Sequence, residues 1–244
     1  IELEQCEQYF KELLLEQREL DNKKDVLTKA IRSQTQQIND ILHPVRQALL
    51  KQKAAGKLPT VAIPNPLHHW DFEESLEDQI GDLHATSSNN AHIQNGALIL
   101  NDATAYAITK PISNNITEKT LAAIVQLNTL TQQAGGVVTI QTNSGSHFDS
   151  IVYAEKDSRQ WLAGSNNFSR TQGVNGPPET AAVKTPVHIA ITYATDGTIQ
   201  IFRNGKPYGD PYKSSGTVEF KANESVICFG IRHTPAGGNR MLAG

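Results

Sequence analysis

The sequence predicts a mainly β protein, a two-sheet antiparallel sandwich of jelly-roll type, preceded by a long α-helical segment. Three observations carry this reading. The stretch Thr192 to Gly209 sets two tight-turn dipeptides, Asp196-Gly197 and Asn204-Gly205, around one alternating run from Thr198 to Arg203. Such dipeptides supply the positive φ angles that two-residue hairpin turns require. From His68 onward about a dozen short strand candidates follow one another with turn signals between them and no helical period. Composition also breaks along the chain. Residues 1 to 57 hold a single Gly and are rich in Glu, Gln, Lys and Leu, whereas residues 64 to 244 hold nearly all the Gly and Pro.

The helical segment declares itself by apolar residues spaced alternately three and four apart: Leu3, Cys6, Phe10, Leu13, Leu20, Leu27, Ile31, Ile38 and Ile41. That is a heptad seam, interrupted by Gln17, Lys24 and Gln34 and widened by Tyr9, Leu14 and Ala30, so its stripe is broader than a strict two-stranded coiled coil prefers. A continuous helix from Ile1 to Leu42 would reach about 60 Å, with Pro44 marking its end. The polar cluster Asp21 to Lys24 is where it could instead turn back as a hairpin. A second short helix is expected over Val45 to Ala55, ended by Gly56, and a Pro-stiffened linker over 58 to 67. The domain plan is therefore a helical arm over 1–57, that linker, and a β domain over 68–244, large enough to bury its own core.

The strand candidates are Ala91 to Gln94 turning through Asn95-Gly96 into Ala97 to Leu100, then Tyr106 to Ile108, Thr120 to Leu127 and Gly136 to Thr142. Phe148 to Ala154, Gln160 to Ala163, Val187 to Tyr193, Thr198 to Phe202, Thr217 to Phe220 and Ser225 to Ile231 complete them. Thr120 to Leu127 is apolar on both faces, which suits a central strand.

A net charge of -3 over 244 residues offers no basic face to drive phosphate binding, so nucleic acid is not an expected partner. No apolar run reaches the length of a membrane span. The chain begins at Ile1 inside a charged helix, which reads as excised from something longer. Cys6 and Cys228 lie in different parts without a metal-binding spacing and read as two free buried thiols, one on the helix seam and one in a strand.

His69-Trp-Asp-Phe-Glu-Glu-Ser-Leu-Glu-Asp-Gln-Ile-Gly81 resembles the opening strand and turn of laminin-G-like, concanavalin A-like jelly-roll domains. Val187-His-Ile-Ala-Ile-Thr-Tyr through Asn204-Gly-Lys-Pro resembles their strand pair with an Asn-Gly turn. The resemblance covers 68 to 244. Phe148 to Tyr153, Trp161 to Gln172 and Gly230 to Gly244 are similar to the laminin-G-like insert of large planctomycete-type secreted proteins that carry a cytochrome c-like domain and a coiled coil ahead of the insert. The resemblance implies an exported, periplasmic or cell-surface setting, other domains of the same longer chain as partners, and a final strand after Gly244. No haem attachment motif is present in this chain.

Relatives of this fold include retaining glycosidases, which need two carboxylates about 5 Å apart. No Glu-x-Asp-x-x-Glu or Glu-x-x-x-Glu lies inside an apolar strand, so a glycoside hydrolase is disfavoured and a non-catalytic module is expected. Glu73, Glu74, Glu77 and Asp78 read as turn-forming or solvated acids, and His68 and His69 lack a third ligand nearby. The candidate binding surface is Asp149 to Gln172, with Asp149, Glu155, Arg159, Trp161, Ser165, Asn166, Asn167, Arg170 and Gln172, joined from the last loops by Arg232 and Asn239. Sugar recognition wants an aromatic face for the apolar side of the ring, and amide, acid and Arg groups for its hydroxyls. The same residues equally describe an ordered loop whose polar groups satisfy its own backbone while Trp161 fills the core. No cofactor is expected; calcium, through Asp71, Asp78 or Asp149, is compatible with the fold but has no ligand ladder. Asn-x-Ser/Thr triplets at Asn115, Asn167 and Asn223 carry no reading in a chain of this type. Two functions remain: carbohydrate or cell-surface binding in an exported multidomain protein, or a structural spacer positioning neighbouring cytochrome-like domains, with helix-mediated self-association as a further property.

Overall fold

The computed structural model describes residues 2–56 and 65–244, and their side chains except at positions 2–4, 35, 39, 53 and 54. The chain divides into two compact units, Ile1–Pro64 and Asn65–Gly244. Most of the Pro-rich linker lies outside the described residues.

The first unit is one helix, α1 (Glu2–Ala54), and it runs straight through Pro44. This corrects both the expected stop at Pro44 and the alternative hairpin at Asp21 to Lys24. Proline deletes one backbone hydrogen bond and crowds the preceding turn, at about 3 kcal/mol. Long runs of Leu, Gln, Glu, Lys and Arg on either side are good helix formers and carry the helix past it. Side-chain pairs one turn apart, Gln8 with Glu12 (3.0 Å) and Gln36 with Asp40 (2.8 Å), add to the helix surface. The end falls where expected, with Gly56 at φ +65° just after the last turn. Cys6 is exposed on this helix rather than buried.

The second unit is an antiparallel sandwich of jelly-roll type with strands β1 (Ala85–Ser88), β2 (His92–Gln94), β3 (Ala97–Ile99), β4 (Tyr106–Thr109), β5 (Lys119–Val125), β6 (Gly135–Thr142) and β7 (Phe148–Tyr153). β8 (Trp161–Ser165), β9 (Val187–Tyr193), β10 (Thr198–Arg203), β11 (Lys206–Pro207), β12 (Tyr212–Lys213) and β13 (Ser225–Phe229) follow. One sheet runs β1-β4-β13-β6-β7-β8 and the other β11-β10-β9-β5, with β12 also on β10 and β2-β3 a separate hairpin. Large apolar side chains fill the space between them, among them Ile140, Ile151, Ile189, Ile191, Ile199 and Ile201, all almost fully enclosed. Asn95-Gly96 and Asn204-Gly205 take positive φ at both residues, as their hairpins demand. Asp196-Gly197 does so only at Gly197; Asp196 instead accepts from the Thr198 N–H (2.9 Å), an Asx-type turn.

Other expectations give way to tertiary pairing. β5 is the edge of its sheet, not a central strand, and Ile124 stands 76% exposed on its outer face. Thr217 to Phe220 contributes an isolated bridge between Phe220 and Ile116 rather than a strand. Ala85–Ser88, whose sequence has no apolar alternation, becomes a strand by pairing with β4. The segment resembling an opening strand is irregular and is organised around Asp78. The Asp78 carboxylate accepts the backbone N–H of His69 (3.0 Å) and of Ile80 (3.1 Å) and lies 2.7 Å from His68 Nδ1. Burial works against its charge, but these hydrogen bonds prevail and bring its pKa down to about 2. Above it Trp70 and Phe72 pack edge-on against Phe229 of β13.

The outer face of the six-stranded sheet is covered over β6 and β13. After β13 the chain returns across it, burying Ile231 and Met241 with Val226 and Cys228 in a second apolar cluster. A side chain at Gly136 would meet the Arg232 backbone at 2.4 Å, so this strap lies directly on β6. Gln141 clamps it through both amide atoms, donating to Thr234 Oγ1 (2.7 Å) and accepting from the Thr234 N–H (2.9 Å). Phe148 stacks on His233 at 4.6 Å.

Edge placement of β5 makes a clear expectation. By urea titration, Ile124→Thr should leave the unfolding free energy within about 0.5 kcal/mol of the parent, whereas Ile191→Ala, at the core position of the adjacent strand, should cost roughly 2–5 kcal/mol, as core truncations do.

Candidate functional site

The segment expected to carry a ligand is drawn into the protein by a buried carboxylate. Asp149 of β7 points between the sheets, where its Oδ1 accepts from Arg170 Nε (3.0 Å) and Nη2 (2.8 Å). Its Oδ2 lies 2.8 Å from Lys119 Nζ, contributed by β5 of the opposite sheet. Both cationic side chains are 6% exposed and Asp149 is 1% exposed, so this is an interior cluster. The Lys119 ammonium also sits 4.6 Å from the Tyr193 ring centre and 4.9 Å from that of Phe220. Burial pushes its pKa below the usual lysine value, and Asp149 opposes that shift. Arg170 extends the cluster outward. Its Nη2 donates to the Phe148 carbonyl (2.9 Å) and Asn166 Oδ1 (3.2 Å), its Nη1 to Ser169 Oγ (3.0 Å), and its own carbonyl accepts from the Tyr212 hydroxyl (2.8 Å).

A second interior hub absorbs Trp161. The ring is fully buried, tilted against Tyr153 at 4.9 Å, and its Nε1 donates to Glu179 Oε2 (2.9 Å). Glu179 also receives Arg203 through Nε (2.8 Å) and Nη2 (2.9 Å), and the backbone N–H groups of Thr180 and Ala181 (2.9 and 2.8 Å). Burial disfavours its charge, but the bonds from Arg203, Trp161 and the backbone outweigh it and lower the pKa to about 2. The Tyr208 hydroxyl closes the hub, accepting from the Trp161 N–H (3.3 Å) and donating to the Pro177 carbonyl (2.7 Å).

Arg232 belongs to the strap on the other face. It pairs with Glu155 and reaches Asn239 Oδ1 (3.3 Å), with its side chain 12% exposed.

These placements correct the expected sugar site. Trp161 has no open face on which a ring could stack, and Asp149, Arg170 and Arg232 spend their charges on one another and on Lys119 and Glu155. Asn166 is half-buried and tied to Arg170. Arg159, Asn167 and Gln172 remain exposed. Arg159 and Gln172 are bound to the framework through main-chain contacts, Arg159 through its carbonyl to the Glu179 N–H (2.6 Å) and Gln172 by its amide to the Lys213 carbonyl (3.5 Å). Among the described residues no three of His, Cys, Asp and Glu come together to hold a metal ion.

One outward-facing feature survives, and the sequence reading passed over it. The loop after β8 makes a short 3-10 turn, Asn166–Phe168, that presents Phe168 50% exposed beside Asn167. Asn167 and Phe168 both sit at positive φ, +49° and +54°. That region is unfavourable for a phenylalanine, so the surrounding bonds hold it there. Lys156 Nζ lies 6.0 Å from the ring centre. Arg170, Ser165 and Tyr212 grip the turn from within: Ser165 Oγ accepts the Arg170 N–H (2.9 Å) and lies 2.9 Å from Thr171 Oγ1. The sequence signal was present in Asn166-Asn-Phe-Ser169, an aromatic set among turn-forming residues.

No protein-family model matches the chain, and no curated protein matches it in sequence. Solved structures do. A heptameric SAP-like pentraxin from Limulus polyphemus is 15% identical, with 59% of this chain and 73% of that one covered and a TM-score of 0.40. A Bacillus licheniformis β-glucanase is 9% identical over 59% and 77% at 0.38. The binding domain of botulinum neurotoxin serotype D is 15% identical over 67% and 46% at 0.39, so this chain spans less than half of it. At these values no ligand and no chemistry transfers from them.

Two expectations follow from the hubs. Asp149→Ala would leave Lys119 and Arg170 buried without a counter-ion and should destabilise by about 3–5 kcal/mol, with Lys119→Met recovering part of the loss in the double variant. Glu179 has a folded pKa below its unfolded one, so its contribution is present above about pH 4.5 and should fade as pH falls toward 2. In Glu179→Gln, urea midpoints measured across that window should show a correspondingly shallower acid dependence.

Proposed function

We propose that the chain is a non-catalytic binding module of an exported multidomain protein, recognising carbohydrate or another cell-surface ligand at the loop tip Asn166–Phe168. The observation that supports this is Phe168 itself: a half-exposed ring, held at φ +54° by a turn anchored on buried Arg170. An immobilised aromatic face presents apolar area at little entropic cost, and Asn167 with Lys156 sets donors and an acceptor around it. Asp149 and Arg170 act at this site as positioning residues, because they hold the turn without reaching its surface. Of the residues expected from sequence, Asn167 lies on this tip with Asn166 beside it, and Asp149 and Arg170 sit beneath it; Trp161 and Arg232 have no part in it. Export to the periplasm or cell surface belongs to this proposal and rests on the resemblance of the β unit.

A second reading, a spacer that positions neighbouring cytochrome-like domains, is favoured by the exposed apolar side chains along α1.

A glycan array probed with the parent chain, Phe168→Ala and Asn167→Ala separates them. Saturable binding weakened about tenfold in Phe168→Ala, equivalent to ~1.4 kcal/mol, supports the loop tip. Binding unaffected by either variant moves the site elsewhere on the sandwich, and no binding by the parent chain favours the spacer. Trp161→Ala is unsuitable as the probe, since it opens the core beside Glu179 and should lower stability by about 3–5 kcal/mol.

A further inference from the structure

The apolar seam of α1 stands open to solvent along its length. Phe10, Leu13, Leu20, Ile31, Ile38 and Ile41 are each between 44% and 68% exposed. A stripe of this kind on a helix about 80 Å long requires a cover. Two properties of the helix say which cover fits.

The first is charge. Residues 1–25 carry eight acids against four bases, and residues 26–54 five bases against one acid, so the helix is a dipole of net charge near -4 and +4. A parallel partner of the same sequence sets acidic half on acidic half. An antiparallel partner sets each acidic half on a basic one.

The second is register. In heptad terms the first core positions are Phe10, Gln17, Lys24, Ile31, Ile38 and Val45, and the second are Cys6, Leu13, Leu20, Leu27, Gln34 and Ile41. Antiparallel pairing centred between Asp25 and Val26 aligns the two sets without a gap. Leu20 then meets the partner's Ile31, Leu13 the partner's Ile38 and Phe10 the partner's Ile41. The polar interruptions also resolve: Gln17 faces the partner's Gln34, amide to amide, and Lys24 faces the partner's Leu27. A parallel pair would set Lys24 on the partner's Lys24 and flank the seam with Glu16 against the partner's Asp21, repulsive in both cases.

We propose that α1 is a self-association element that pairs with a second copy of this chain as an antiparallel two-stranded coiled coil in this register, its seam widened at the positions flanking the core by Tyr9, Leu14 and Ala30. The polar core positions act as its register marks, since a shift by one heptad one way sets Gln17 and Gln34 on the partner's Leu27 and Phe10, and the other way sets Gln17 on the partner's Ile41. The pairing is independent of any ligand bound by the β unit.

The whole chain, followed by light scattering over a dilution series, should give twice the chain mass at high concentration. Leu20→Glu with Ile31→Glu should return it to a monomer while near-ultraviolet circular dichroism of the β unit is unchanged. Direction is read by oxidation. In the antiparallel pair the two Cys6 thiols stand about 58 Å apart, and Cys228 is buried, so the parent chain should form no covalent dimer. Val45→Cys places a thiol across from the partner's Cys6 and should convert the protein to a disulfide-linked dimer. A monomer at every concentration, dimers that survive the double Glu variant, or rapid cross-linking of the parent chain through Cys6 would each overturn the proposal.

Discussion

Asp149 is the point at which the sandwich is held in one arrangement. A carboxylate between two sheets cannot remain charged without partners, and here two arrive from separate parts of the chain, Lys119 from the opposite sheet and Arg170 from the loop after β8, with the rings of Tyr193 and Phe220 in turn over the ammonium. Apolar packing of Ile and Val would tolerate a small slide of one sheet over the other. An ion cluster at 2.8 Å does not, because a slide would leave a charge unpaired in the interior. The same cluster fixes the loop tip: Arg170 bonds outward to Asn166 and Ser169, so core geometry is passed directly to the surface.

Charge in this protein is spent mainly on architecture. Asp149 and Glu179 are buried carboxylates met by cations, and Asp78 is a buried carboxylate met by a histidine and backbone N–H groups; each closes a region that lacks regular secondary structure on one side. Glu179 and its bonds with Trp161, Arg203 and the following N–H groups stitch the long connection between β8 and β9 to the sheet carrying β10. On the far face, the strap from Ile231 to Met241 lies so close to β6 that only glycine fits at position 136. The strap therefore closes the larger sheet over β6 and β13 on its outer side, as the core closes it on the inner. The proposed ligand surface is accordingly a single exposed aromatic on a strained turn, held from beneath by the buried cluster.

The helical unit obeys different rules. Among its described residues no side chain is buried, and its apolar residues are arranged along one seam with charge segregated to its ends. Its stability comes from local propensity until something covers the seam, which is why Pro44 is tolerated within it: a long helix can lose one hydrogen bond where a short one could not.

Much of this was legible in the order of the residues. Asn95-Gly96, Asn204-Gly205 and the alternation of β9 and β10 are local signals, set by φ preferences and by the two-residue period of a strand, and they determined the mainly β class, the hairpins and most strand positions. The three-four spacing from Cys6 to Ile41 likewise determined the helix. What the sequence could not decide was which polar residues face inward. An Asp, an Arg and a Trp within one segment describe a sugar site as well as they describe a core. The choice was made by Lys119, Glu179 and Arg203, which lie up to 30 positions from the groups they neutralise and meet them only when the two sheets close. Whether β5 was central or at an edge, and whether Trp161 or Phe168 met solvent, followed from that closure, because burial is a property of the packed sheets and not of any strand alone.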